Sequence, residues 1–183
     1  MATSHPLQHR YIVASKIYLE AIQFLNATRK DELRALDGAL DGVSRASTRS
    51  ELYKPIVAVK AQLELYLSQF GVDTWDIDAF LQDQRQQLFS VWDGDDILAA
   101  PAPRQYIDAT DRYFALAKDT HVALQNDMSI VCVHHAAMVD AYGSLSHPMQ
   151  QAMYEPLQLI KDIDIHSDAY VKGMLTMINS YVN

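Results

Sequence analysis

Residues 107–142 read IDATDRYFALAKDTHVALQNDMSIVCVHHAAMVDAY, without a glycine or a proline. Side chains suited to a core recur along this stretch at alternating spacings of three and four, which is typical of one helical face. The residues at those positions are Ile107, Thr110, Phe114, Ala117, His121, Leu124, Met128, Val131, His135, Met138 and Tyr142. The pattern predicts a long helix over about residues 104–142 and places His121 and His135 on its buried side.

The least helix-favouring part of this stretch is residues 126–129, which read Asn-Asp-Met-Ser. Asn, Asp and Ser side chains compete for backbone hydrogen bonds, so they favour helix ends over helix interiors. Two forms of the long helix are therefore compatible with the sequence. In one form the helix is continuous and protrudes beyond its neighbours, and in the other it breaks near Asn126.

Shorter stretches with the same spacing predict further helices on both sides of the long one. Their predicted starts are Leu7, Thr28, the capping box Thr48–Glu51, Asp73 or Thr74, Ser146 and Ser167. Asn26, Gly42 and Gly71 are the predicted ends of the first three, and Pro156 should kink or divide the helix that Ser146 begins. The sequence thus predicts an all-α bundle of six or seven helices, organised around the long helix as a single domain over residues 1–183.

The composition is that of a globular protein, with 183 residues of which 49% are hydrophobic. Cys132 is the only cysteine, so no internal disulfide can form and a reducing, cytoplasmic setting is favoured. The chain also lacks an uncharged apolar run of membrane-spanning length and the pattern of a signal peptide at its start. We therefore expect a cytoplasmic protein without a membrane segment.

The net charge is −8, from 15 basic and 23 acidic residues. Binding to nucleic acid is disfavoured because phosphate contacts need a basic surface, whereas a basic protein partner is compatible with this charge. Asp-rich segments and tyrosines outside the apolar stripes form the candidate interface, which comprises Asp76, Asp78, Asp83, Asp93, Asp95, Asp96, Tyr53, Tyr106 and Tyr154. Charged residues of this kind steer a partner, and aromatic residues anchor it.

Catalytic and cofactor motifs are missing from the sequence, so no catalytic residue, metal site or cofactor is predicted. His121 and His135 lie four helical turns apart and cannot bind one metal ion together. Each is interpreted as a core histidine that bonds to a carboxylate, a hydroxyl or a backbone carbonyl, or else as a ligand-contacting residue, with Met138 beside His135. Cys132 is predicted to be a packed apolar residue, since His134 points away from it.

Three functional hypotheses follow. The leading one is a non-enzymatic protein-binding module, of the inhibitor, immunity, antitoxin or adaptor type, that acts on a basic protein. The second is a self-assembling structural subunit of a coat or filament, with homo-oligomer contacts through Ile97–Ala100 and Met174–Val182. The third is a helical protein that holds a haem, a metal ion or a hydrophobic ligand near His135 and Met138.

Overall fold

The computed structural model describes residues 5–46, 57, 60–62, 65, 76–90 and 101–182, with side chains for all of these except 87–90 and 101–103. Its helices are α1 (Pro6–Ala46), α2 (Ile77–Ser90), α3 (Pro101–Gly143), α4 (His147–Gln151), α5 (Glu155–Gln158), a 3₁₀ helix (Ile160–Asp162) and α6 (Asp168–Val182). Residues 57, 60–62 and 65 are helical as well. These ranges contain no strand, and α1 packs against α3 and α6. The prediction of an all-α bundle is confirmed.

The long central helix is continuous, because α3 runs over 43 residues and includes residues 126–129 without a break. Its predicted inner face is confirmed: each of the eleven positions from Ile107 to Tyr142 is buried or half-buried. Phe114, Leu124 and Met138, for example, are 6%, 4% and 0% exposed. The uninterrupted three-four spacing outweighs the weak helix preference of Asn, Asp and Ser because burial of the face stabilises the whole helix.

The first helix differs from its prediction. α1 is one helix of 41 residues and not two, so Thr28 does not begin a helix and Gly42 does not end one. Leu25, Leu36 and Val43 lie on one uninterrupted face and are all buried. The stabilisation from burying that face outweighs the low helix preference of Gly38 and Gly42, each of which costs about 1 kcal/mol relative to alanine.

Several other boundaries also differ from the sequence-based ones. α2 begins at Ile77 rather than near Asp73, and the Asp76 carboxylate accepts a hydrogen bond from the Ala79 amide at 3.0 Å, which caps the helix. Pro156 does divide the chain after Ser146, since α4 ends at Gln151 and Pro156 lies in the first turn of α5. The predicted helix from the box Thr48–Glu51 to Gly71, and the loop after residue 92, lie largely or wholly outside the described residues.

The chain divides into two compact units. The first, here called the terminal unit, comprises Met1–Ala27 and Asn126–Asn183, and the second, the central unit, comprises Thr28–Gln125. Buried side chains of the terminal unit include Tyr11, Tyr18, Ile22, Val131, Met138, Leu157, Ile160, Val171 and Ile178. Those of the central unit include Leu36, Leu40, Val43, Ile77, Leu81, Tyr106, Tyr113, Phe114, Ala117 and Leu124. That residues 1–183 form a single domain stays a prediction.

Side chains of α1 and α3 hold the irregular segment after α3 in the terminal unit. The Tyr11 hydroxyl donates to the Leu157 carbonyl, and the Asn26 amide donates to the Ile165 carbonyl at 2.9 Å. Burial raises the pKa of Tyr11 to about 12, although the nearby Ser15 hydroxyl acts in the opposite direction. The Tyr11 hydroxyl therefore keeps its proton at neutral pH and remains a donor to the Leu157 carbonyl.

Candidate functional site

Asp76, Asp78 and Asp83, at the start of α2 and along it, are exposed to solvent. We call these three residues the acidic face. They are exposed because α2 turns Ile77 and Leu81 into the central unit, where both are buried. The Asp83 carboxylate accepts a hydrogen bond from the Gln84 amide at 3.4 Å. Three of the six aspartates of the candidate interface are thus accessible.

Two basic residues partly neutralise the charge around α2. The Lys118 ammonium lies 2.8 Å from the Asp78 carboxylate, whose side chain nevertheless remains 65% exposed. Arg85 pairs with Asp111 at 2.8 Å, and the hydrogen bond to Asp111 raises the pKa of the Arg85 guanidinium. Exposed ion pairs of this kind contribute little to stability. Their carboxylates can still attract a positively charged partner at a distance.

The predicted tyrosine anchors have different environments. Tyr106 is fully buried in the central unit, so the prediction that it forms part of an exposed interface is wrong. It lies four residues before Thr110, on the same turn as Ile107, and therefore belongs to the inner face of α3. Tyr154 is 56% exposed, and its ring centroid lies 6.5 Å from that of Tyr181, which is also exposed. Tyr154 belongs to the terminal unit, whereas the acidic face belongs to the central unit.

The other four residues of the candidate interface, Tyr53, Asp93, Asp95 and Asp96, lie outside the described residues. The prediction that they contact a partner therefore rests on the sequence alone. Among the described residues of the central unit, the exposed large apolar side chains are Val57, Leu65 and Val122, at 41%, 60% and 47% exposure. These side chains are of the kind that can supply apolar contact area to a partner.

His135 has a structural partner. Its Nε2 atom lies 3.3 Å from the Lys161 carbonyl oxygen, and its ring lies 5.2 Å from the ring of Tyr18. A carbonyl oxygen only accepts hydrogen bonds, so Nε2 must carry the proton in this contact. Met138, the residue proposed to lie beside a ligand, is fully buried. This arrangement matches the interpretation of His135 as a histidine that bonds to a backbone carbonyl.

His121 is buried in the central unit, with 5% of its surface exposed. Burial lowers the pKa of His121 from its usual value of 6.5, while the nearby Asp78 carboxylate acts in the opposite direction. The neutral imidazole is therefore the form that the folded protein favours. Within the described ranges, no group of three or more His, Cys, Asp or Glu side chains is arranged to hold a metal ion.

Acidification should destabilise the protein through His121. The unfolded chain binds a proton near pH 6.5 that the buried imidazole resists, so the free energy of unfolding should fall as the pH drops from about 7 to about 5. His121→Gln removes this titration and should reduce the fall, whereas His9→Gln, at an exposed position, should not. Urea unfolding at each pH measures the effect, and equal pH slopes for all three proteins would contradict it.

Cys132 is exposed, so the prediction that it is packed in the core is wrong. The reason is visible in its neighbours: Val131 is 2% exposed and faces the core, whereas Val133 is 65% exposed. α3 is apolar on both sides over this stretch, and hydropathy alone does not indicate which side is buried. The exposed apolar side of α3 was not identified from the sequence, although residues 128–139 contain no Asp, Glu, Lys or Arg.

Comparison of the chain with protein-family models, with curated proteins and with solved structures found no match in any of the three. Across the part of the chain that the structure describes, no helix has both the length and the apolarity needed to cross a membrane.

Proposed function

We propose that this protein is a non-enzymatic binding module that acts on a basic protein as an inhibitor, immunity factor, antitoxin or adaptor. The observation that carries the proposal is the exposure of Asp76, Asp78 and Asp83 on a chain with a net charge of −8. Carboxylates concentrated on one exposed helix attract a basic surface and speed its encounter. A cytoplasmic location is part of the proposal and is supported by the single cysteine.

Apolar contacts would supply most of the affinity. Charges at the rim of an interface speed association but do little to slow dissociation of the complex. Leu65 and Val122 are exposed apolar residues of the central unit, in which the acidic face also lies. They replace Tyr106 as candidate anchors, since Tyr106 is buried. Among the described residues, Asp78 forms an ion pair with the half-exposed Lys118, and a basic group of the partner would compete for its carboxylate.

Self-assembly is the alternative function. One of its predicted contacts, Met174–Val182, is largely used inside the terminal unit, because Met174, Leu175 and Ile178 are buried there. The other, Ile97–Ala100, lies outside the described residues. A different surface, the exposed apolar side of α3, favours association between copies.

Neutralising the acidic face should slow the association with the basic partner. The triple variant Asp76→Asn, Asp78→Asn and Asp83→Asn removes three charges while each side chain keeps a hydrogen-bonding oxygen, so the helix cap can persist. Glu20→Gln, Asp162→Asn and Asp168→Asn form the matched control, because these three exposed residues of the terminal unit carry the same charge. The association rate should fall about tenfold or more for the first triple and change little for the control.

The measurement starts with capture from an extract of the native cell on the immobilised protein, followed by association kinetics with the captured protein. The wild type should retain a basic protein at low salt and release it as the ionic strength rises toward about 1 M, where screening is strong. Capture of the same protein by both triples at equal rates would contradict the acidic face. Capture of the chain itself alone would favour self-assembly instead.

A further inference from the structure

The exposed side of α3 in the terminal unit is apolar. We call it the outer face and define it by the exposed residues Ser129, Ile130, Val133, Ala136, Ala137 and Val139. Val133, Ile130 and Val139 are 65%, 47% and 43% exposed. Residues 128–139 contain no Asp, Glu, Lys or Arg, and the outer face ends at Asp140. Contiguous exposed apolar surface of this kind commonly marks an interaction site.

The core of the terminal unit does not explain this apolar sequence. α3 already contributes Val131 and Met138 to that core, at 2% and 0% exposure, and His135 bonds to the Lys161 carbonyl. A helix that is apolar on all sides is normally buried on all sides. Among the described residues, the outer face therefore remains exposed to solvent, although burial of its apolar side chains would be favourable.

We propose that a second copy of this chain covers the outer face, with the two α3 helices packed antiparallel about Val133. Positions at equal distances before and after Val133 then lie opposite one another. Ile130 then faces Ala136 of the second copy and Ser129 faces Ala137, so the valine pair on the axis is flanked on both sides by small alanine side chains. Pairing of large with small residues allows close interdigitation of two helices, and a twofold axis repeats every contact.

Charge also favours a second copy as the occupant. The same antiparallel register places Asn126 opposite Asp140 of the second copy. The Asn126 amide can donate to the Asp140 carboxylate, so no two like charges face one another at this position. Asp140 is moreover already paired with Arg10 at 2.9 Å. A strongly charged partner would have to desolvate its charges against a face that offers none in return. The basic partner proposed above therefore suits the acidic face and not the outer face.

The expected dimer is weak. α1 lies beside α3 in the terminal unit, as the Arg10–Asp140 ion pair and the Tyr18–His135 ring contact show, and it exposes Ile17 and Phe24 at 41% and 62%. One helical face with a few flanking residues buries less than the roughly 1,200–2,000 Å² of a standard stable interface. Two copies with a charge of −8 each also repel one another. Dimerisation should therefore increase with protein concentration and with salt.

Sedimentation velocity over a range of protein and salt concentrations tests the proposal. The wild type should shift from monomer to dimer as both are raised, whereas Val133→Asp should remain monomeric because it places a charge at the twofold axis. Leu159→Asp is the matched control, since Leu159 is 47% exposed in the same unit but lies outside the outer face, and it should dimerise like the wild type. Circular dichroism verifies that each variant is folded.

The single cysteine gives a second readout. Cys132 is exposed and lies next to Val133, so the two copies of Cys132 lie close to the axis and a short bismaleimide should join them by adding one thiol at each end. Wild-type protein should yield a covalent dimer, and Val133→Asp should reduce that yield about tenfold or more, as the loss of the dimer requires. Cys132→Ser gives the background.

Two results would overturn the proposal: a wild type that stays monomeric at high salt, or a Val133→Asp variant that still dimerises and cross-links. The acidic-face triple Asp76→Asn, Asp78→Asn and Asp83→Asn should dimerise at least as well as the wild type, because it lowers the repulsion between copies. The test of the dimer and the test of the basic partner therefore have independent outcomes. Salt should strengthen the dimer and weaken the binding of the basic partner.

Discussion

Leu124→Ala should lower the free energy of unfolding by about 2–5 kcal/mol, the range for a buried leucine cut back to alanine. Leu124 is 4% exposed on the inner face of α3 in the central unit, where Ala117 and His121 lie on the same face. The substitution removes buried methyl groups and leaves a cavity that the neighbouring side chains can fill only in part. Urea unfolding followed by far-UV circular dichroism measures the loss.

Val122→Ala is the matched control for Leu124→Ala. Val122 lies two residues earlier on the same helix but is 47% exposed. Its replacement should change the stability by no more than about 0.5 kcal/mol, the usual range for a surface substitution. If the two variants lost equal stability, the inner face of α3 would be assigned to the wrong side of the helix.

The inner face of α3 could be predicted because its spacing continues without interruption from Ile107 to Tyr142. Each turn of such a helix places another apolar residue on the same face, so the low helix preference of residues 126–129 does not outweigh the pattern. The exposure of Asp76, Asp78 and Asp83 follows from the same reasoning, since Ile77 and Leu81 fix which side of α2 is buried. The repeated spacing of apolar positions was sufficient information for the inner side of both helices.

The errors arise where that spacing does not identify the buried side. Cys132 lies on a turn of α3 that is apolar on both sides, so the sequence contains no contrast that indicates the buried side. Tyr106 was predicted to lie outside the apolar stripe because the stripe was taken to start at Ile107, whereas Tyr106 lies four residues before Thr110 and is buried on the same face. In both cases the contacts with the rest of the unit, and not local hydropathy, determine the burial.

Polar residues on the inner face of α1 make this one helix look like two in the sequence. Arg29 and Glu32 stand at the positions that continue the spacing from Leu25 to Leu36, and the Glu32 carboxylate accepts a hydrogen bond from the buried Thr120 hydroxyl at 3.0 Å. A polar side chain with a buried partner fits a core as well as an apolar one does. From the sequence alone, these residues look like a gap between helices, and Thr28 looks like a cap.

Lys30→Pro should therefore lower the free energy of unfolding by about 3 kcal/mol or more. In a continuous α1, proline at position 30 removes the amide that donates to the Asn26 carbonyl, and its ring clashes with that carbonyl. If a helix instead began at Thr28, position 30 would fall in its first turn, where no such bond exists and proline is tolerated. The substitution thus distinguishes one long helix from two shorter ones.

Lys30→Ala separates the backbone effect from the loss of the side chain. Lys30 is exposed, and alanine is the best helix former, so this variant should differ from the wild type by no more than about 0.5 kcal/mol. Urea unfolding of the two variants under the same conditions gives the comparison. A Lys30→Pro protein as stable as Lys30→Ala would mean that the backbone is not helical across residue 30. Glu32 would then not lie on a helix that begins before residue 30, and its hydrogen bond with Thr120 would need a different explanation.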